Sequence, residues 1–68
     1  MHRDRALQKA IDAAGTGRRL AARIGVTPQA LSQWHRVPAR RVLSVERASG
    51  VPRHALRPDL YPSEETAG

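Results

Sequence analysis

The sequence has no cysteine and no phenylalanine, and only one Trp and one Tyr. Without thiols, neither a disulfide framework nor a thiolate metal site is available, and a reducing cytoplasm is the natural home. Without phenylalanine, a core must be assembled from Leu, Ile, Val and Ala, which suits short helices packed closely. No apolar run approaches the roughly 20 residues of a membrane span. The charged start MHRDR leads into an amphipathic stretch, not a signal peptide, so a soluble protein that is not exported is expected. His2, His35 and His54 fall on different elements, no carboxylate pair shares a helix face with them, and 68 residues leave no room for a deep pocket. Neither an enzyme nor a metal or cofactor site is expected. The length allows one domain with one small core.

Acidic residues are scarce over most of the chain. Residues 1–58 hold all twelve cations against Asp4, Asp12 and Glu46, a balance of +9, whereas the last ten residues hold Asp59, Glu64 and Glu65, a balance of −3. A basic body of this size implies a polyanionic partner, with nucleic acid ahead of an acidic membrane surface. Eleven of the twelve cations are Arg, but Arg together with abundant Ala is also what a GC-rich coding sequence produces. Distribution therefore says more than composition.

The most informative stretch is 16–34, TGRRLAARIGVTPQALSQW. Leu20 and Ile24 lie four apart and Leu31 and Trp34 three apart, so each pair marks the inward stripe of its own helix. Gly25 can end the first of these helices in a left-handed conformation, and Val26 plugs the corner. Thr27 caps the second, with Pro28 in its first turn, where a missing N–H costs nothing. Ala21 is small where the two helices must cross. The ordered set specifies a helix-turn-helix. Within it, Gln29 and Gln33 point away from Leu31 and Trp34, with Ala30 and Ser32 beside them. A glutamine offers a donor and an acceptor together and so matches the adenine edge in the major groove, whereas Ser is permissive and Ala meets a thymine methyl. On an arbitrary helix surface such a pair would serve solubility alone. Arg18 and Arg19 fall in the first turn of the preceding helix, where free N–H groups and the positive dipole end make a phosphate site.

Around this unit, residues 4–14 place Leu7, Ala10, Ile11 and Ala14 on one face of an amphipathic helix, with Asp4 at its dipole-favoured start and Gly15 at its end. Gly15-Thr16-Gly17 superficially resembles a phosphate loop, but no strand precedes it and no Lys-Ser/Thr follows, so it reads as punctuation, with Thr16 a cap. After a short link, His35–Val37, a fourth helix is expected from about Pro38 to Ser49, facing inward through Val42, Val45 and Ser49. Glu46 falls in that apolar arc and must be paired to stay ionised, either by Arg57 or by backbone N–H groups between Val51 and Arg53. Arg36, Arg40 and Arg41 surround the start of this helix. VPRHAL forms one more short helix before Pro58, after which Leu56, Leu60 and Tyr61 are expected to fold back as a lid. Residues 63–68 form a polar, acidic tail expected to be disordered.

Taken together, LQKAIDAAG, LAARIGVTPQALSQW, VPARRVLSVERASGV and HALRPDLYP resemble the Cro/repressor superfamily of helix-turn-helix regulators, and within it the small YdaS-type group of Cro-like regulators and antitoxins. The resemblance, which spans about residues 6–62, implies an all-α, five-helix domain, here expected over residues 1–62, with DNA binding through the third helix and two-fold dimers. By position it assigns base reading to Pro28, Gln29, Ser32 and Gln33, and phosphate contact to Gly17, Arg18, Arg36 and Arg40; Arg19, Thr27 and Arg41 complete the set read from the residues themselves. Leu20, Ala21, Ile24, Gly25, Val26, Leu31, Trp34, Glu46 and Arg57 are assigned to structure. Gly17 stands where the group often carries a phosphate-holding glutamine, and the link after Trp34 is short for the group. The implied function is a cytoplasmic, nucleoid-associated regulator that binds a short palindromic operator as a homodimer. The alternative is an antitoxin with a protein toxin as partner.

Overall fold

In the computed structural model, which describes residues 4–62, the buried stripe Leu7, Ala10, Ile11 and Ala14 belongs to a first helix, α1 (Arg5–Ala14). Gly15 ends it. Thr16 then caps α2 (Gly17–Ile24), its hydroxyl oxygen accepting from the Arg19 N–H at 3.1 Å. Gly25 closes α2 at φ +77°, a left-handed backbone that a side chain resists, and the Val26 N–H closes on the same Ala21 carbonyl as the Gly25 N–H. Thr27 caps α3 (Pro28–Ser32) by accepting from the Ala30 N–H at 3.1 Å, with Pro28 in the first turn as its missing N–H permits.

Downstream the expectations need correction in three places. The third helix stops at Ser32, so Trp34 is not on it but two residues beyond, with its N–H on the Leu31 carbonyl and its ring half-buried against the core. The fourth helix does not begin at Pro38: a 3₁₀ turn, Ala39–Arg41, intervenes, and α4 spans Val42–Ser49. Pro38 stays outside in an extended conformation and accepts from the Arg41 N–H, which tightens the entry into a single turn. Finally, α5 (Arg53–Leu56) buries Leu56, but Leu60 is 45% exposed and no part of a lid. The N–H groups of Leu60 and Tyr61 both close on the Arg57 carbonyl, and this turn faces Leu60 outward while Tyr61 packs half-buried on the core.

Helices α1, α2 and α4 pack on one another, α3 lies against α2, and α5 closes the end between α4 and α1. The core consists of Leu7, Ala10, Ile11, Ala14, Leu20, Ala21, Ile24, Leu31, Val37, Val42, Val45 and Leu56, and among the described residues no polar side chain is buried with them. Its residues are aliphatic, and alanines Ala10, Ala14 and Ala21 allow the close crossings. The architecture is the all-α, five-helix arrangement with a short last helix. The acidic tail expected over residues 63–68 lies outside the described residues.

Candidate nucleic-acid interface

Leu31 is the pivot of the site. It is 2% exposed, and its Cδ2 lies 3.6 Å from where a Cβ on Gly17 would stand, so α3 crosses α2 at the first residue of α2. Gly17 is thus a contact between helices, with room for a methyl group. Arg18, the next residue of α2, is exposed. Arg19 is also exposed but folds back toward the α1–α2 turn, where its Cδ and Nη1 would each lie 3.4 Å from a Cβ on Gly15.

With Leu31 turned inward, Pro28, Gln29, Ala30, Ser32 and Gln33 are all exposed. The side-chain amides of Gln29 and Gln33 make no hydrogen bond within the described residues, so both donor and acceptor are open to an incoming edge. Ser32 differs: its hydroxyl donates to the Gln29 carbonyl at 2.8 Å. Thr27 is exposed, but its side-chain oxygen is occupied as the cap. Gln33 closes the helix in a helical conformation, which keeps it about one turn from Gln29 despite the early stop.

The remaining cations follow in chain order. Arg36 lies exposed on the link, Arg40 exposed on the 3₁₀ turn, and Arg41 half-buried next to it. Arg36 is not independent, since its Nη1 is 3.9 Å from the Asp59 carboxylate. Arg57 and Arg36 both hold the Asp59 carboxyl down, to about 2 from an ordinary 3.8, Arg57 through its side-chain hydrogen bonds being the larger cause.

Glu46 finds one of its two expected kinds of partner. Its Oε2 accepts the Arg53 backbone N–H at 2.8 Å, and Arg53 Nη2 donates to Oε1 at 3.1 Å. The backbone hydrogen bond first, then the side chain of Arg53, lowers the Glu46 pKa from 4.5. Arg57 is not its partner. That guanidinium is taken by Asp59 through Nε and Nη2, at 3.0 and 2.8 Å, and by the Val37 carbonyl through Nη1 at 3.0 Å. Sequence reasoning missed Asp59, the Arg53 guanidinium and Val37 in these roles, and it missed Arg23, which ties α2 to α4 by donating to the Ala48 carbonyl at 3.1 Å. An Arg-Pro-Asp step was a legible signal for Asp59, because proline forces a turn that brings the flanking charges together. Nothing in the sequence marked Ala48. Among the described residues no helix is long and apolar enough to cross a membrane, and no group of three His, Cys, Asp or Glu side chains is placed to hold a metal ion.

A capped five-residue helix set across the start of its predecessor, inside an all-α domain, defines a helix-turn-helix protein. The chain belongs to the family described as bacterial toxin YdaS, whose model matches residues 7–65. It is also similar to the Gene 30 protein of Enterobacteria phage phi80, at 35% identity over a 60-residue alignment that covers 81% of this chain and 82% of the phage protein. No solved structure gives a significant match.

Proposed function

We propose that the protein is a sequence-specific regulator that binds double-stranded DNA through α3, in the manner of a small Cro-like repressor of phage or bacterial origin. One observation carries the reading: Gln29 and Gln33 hold open amides on the exposed side of a helix whose other side packs on the start of α2 through Leu31, with an exposed Arg18 in the first turn of α2 and Arg36 and Arg40 following α3 in the chain. Phosphate neutralisation by the arginines supplies most of the affinity, and the glutamines, with Pro28 and Ser32, supply base discrimination of about 1–3 kcal/mol for each good bidentate pair. One subunit reads too few bases to find an operator. Two subunits on half-sites about one helical turn apart would suffice, so the reading includes a homodimer at least on DNA. Selection of bound fragments from random duplex DNA is the direct test: enrichment of a short inverted repeat containing A·T pairs is expected, and recovery without any motif would end the reading.

The family description, together with a phage relative, supports a second reading, membership in a toxin–antitoxin pair. Overproduction in a bacterial host separates the two. Growth arrest relieved by Gln29→Ala would place toxicity on the same DNA face, whereas arrest indifferent to that change, or a stoichiometric protein partner in a co-expression pull-down, would favour a protein target.

A further inference from the structure

The stretch HALRPDLYP has no part in the reading above, yet it grips the segment on which that reading depends. The link 33–38 leaves α3 and carries Gln33 and Arg36, and no regular helix spans it. Two distant hydrogen bonds hold it instead. The Asp4 N–H donates to the His35 carbonyl at 2.7 Å, and Arg57 Nη1 donates to the Val37 carbonyl at 3.0 Å. Arg57 is the more heavily committed anchor. Its side chain is only 15% exposed, and its other donors clasp both oxygens of Asp59. The local sequence explains the clasp: Pro58 stops α5, Arg57 leaves the helix at φ −141° and ψ 77°, and the N–H groups of Leu60 and Tyr61 close back on its carbonyl. That turn returns Asp59 to the guanidinium two residues earlier. The same carboxylate lies 3.9 Å from Arg36 on the link itself.

We infer that Arg57, braced by Asp59, is a positioning residue that fixes the link after α3 and thereby the setting of Gln33 and Arg36. The inference rests on the proposed DNA reading for its consequence, though not for its geometry. It also makes a prediction opposite in sign to simple electrostatics. Asp59 is an anion beside an arginine assigned to a phosphate, so if charge alone mattered, its neutralisation would strengthen DNA binding. If Asp59 acts by holding Arg57 on the Val37 carbonyl, neutralisation weakens binding.

The test uses the full chain as Asp59→Asn and as Arg57→Lys, which keeps the charge but not the two-pronged clasp. Trp34, the single tryptophan, reports on the link through its emission, and hydrogen exchange reports on the amides of residues 33–38. In both variants Trp34 emission shifts to the red and the link amides exchange faster while helical circular dichroism is retained. Each variant loses about tenfold in affinity for a duplex recovered by selection, the scale of one charged hydrogen bond, with a smaller loss for random duplex and an unchanged salt slope. Wild-type Trp34 emission and link exchange in Arg57→Lys would overturn the inference, as would tighter DNA binding by Asp59→Asn. Should the wild-type chain bind no duplex at all, the DNA reading falls, and the emission and exchange measurements still decide whether Arg57 holds the link.

Discussion

The Glu46 carboxylate caps a helix that begins seven residues later: its Oε2 accepts the backbone N–H of Arg53, the first residue of α5, at 2.8 Å. Pro52, in the cap position, has no side-chain acceptor to offer, so the cap is supplied from α4. Glu46→Ala, which removes both the cap and the ion pair, is expected to lower the melting temperature by a few degrees, with Glu46→Gln falling in between because its amide oxygen still accepts the N–H. Equal melting of all three proteins would remove Glu46 from the stability of α5.

The acid limb of stability should report Asp59. Its carboxyl is held to about 2, below the ordinary 3.8, by the Arg57 hydrogen bonds first and by the nearby guanidinium charges. A depressed carboxyl stabilises the fold fully above its unfolded value and loses that contribution as pH falls through the folded one. Wild-type stability should therefore decline from about pH 4 toward pH 2, and Asp59→Asn should show a shallower decline over that window. Glu46, also lowered, adds to the upper part of the same limb. Parallel limbs for wild type and Asp59→Asn in acid titrations followed by circular dichroism would contradict this.

Thr27→Ala removes the acceptor for the Ala30 N–H. The loss of such a cap costs about 1 kcal/mol. In α3, only five residues long, the cap is a large share of local order, so affinity for the selected duplex should fall more than the melting temperature suggests. Melting and binding measured on one preparation decide it.

Gln29 and Arg18 should separate specificity from affinity. Gln29→Ala is expected to relax preference at one base pair by about 1–3 kcal/mol while leaving random DNA largely unaffected. Arg18→Ala should weaken all sequences alike and reduce the salt slope by about one phosphate's share. Identical effects of both variants on selected and random duplexes would refute this division.

Gly25→Ala tests the turn itself. Nothing lies within 4 Å of a Cβ at this position, so the cost comes from the backbone alone, at φ +77°. A left-handed non-glycine residue costs about 1–2 kcal/mol. Gly25→Asn, which tolerates that region better, should melt between the alanine variant and wild type.

Sequence alone determined whatever is settled within about one helical turn. The stripes Leu7 to Ala14 and Leu20 to Ile24, the caps Thr16 and Thr27, the stops at Gly15 and Gly25, and the inward Leu31 all depend on neighbours three or four residues away, and all were legible. The outward placement of Gln29 and Gln33 followed from the same periodicity. Only the tertiary structure decided matters in which residues compete for partners across the fold. Arg57 had Glu46 as one reasonable target, but the proline turn delivers Asp59 to it and the packing of Val37 delivers a carbonyl twenty residues earlier in the chain, leaving Glu46 to Arg53. Trp34 had the spacing of a helical residue, yet α3 ends before reaching it, and the link to α4 is held by hydrogen bonds from Asp4 and Arg57. A hydrogen bond to a neighbour costs little chain entropy and can be read from the order of residues, whereas one that closes a loop of twenty residues forms only where the rest of the fold has already brought its ends together.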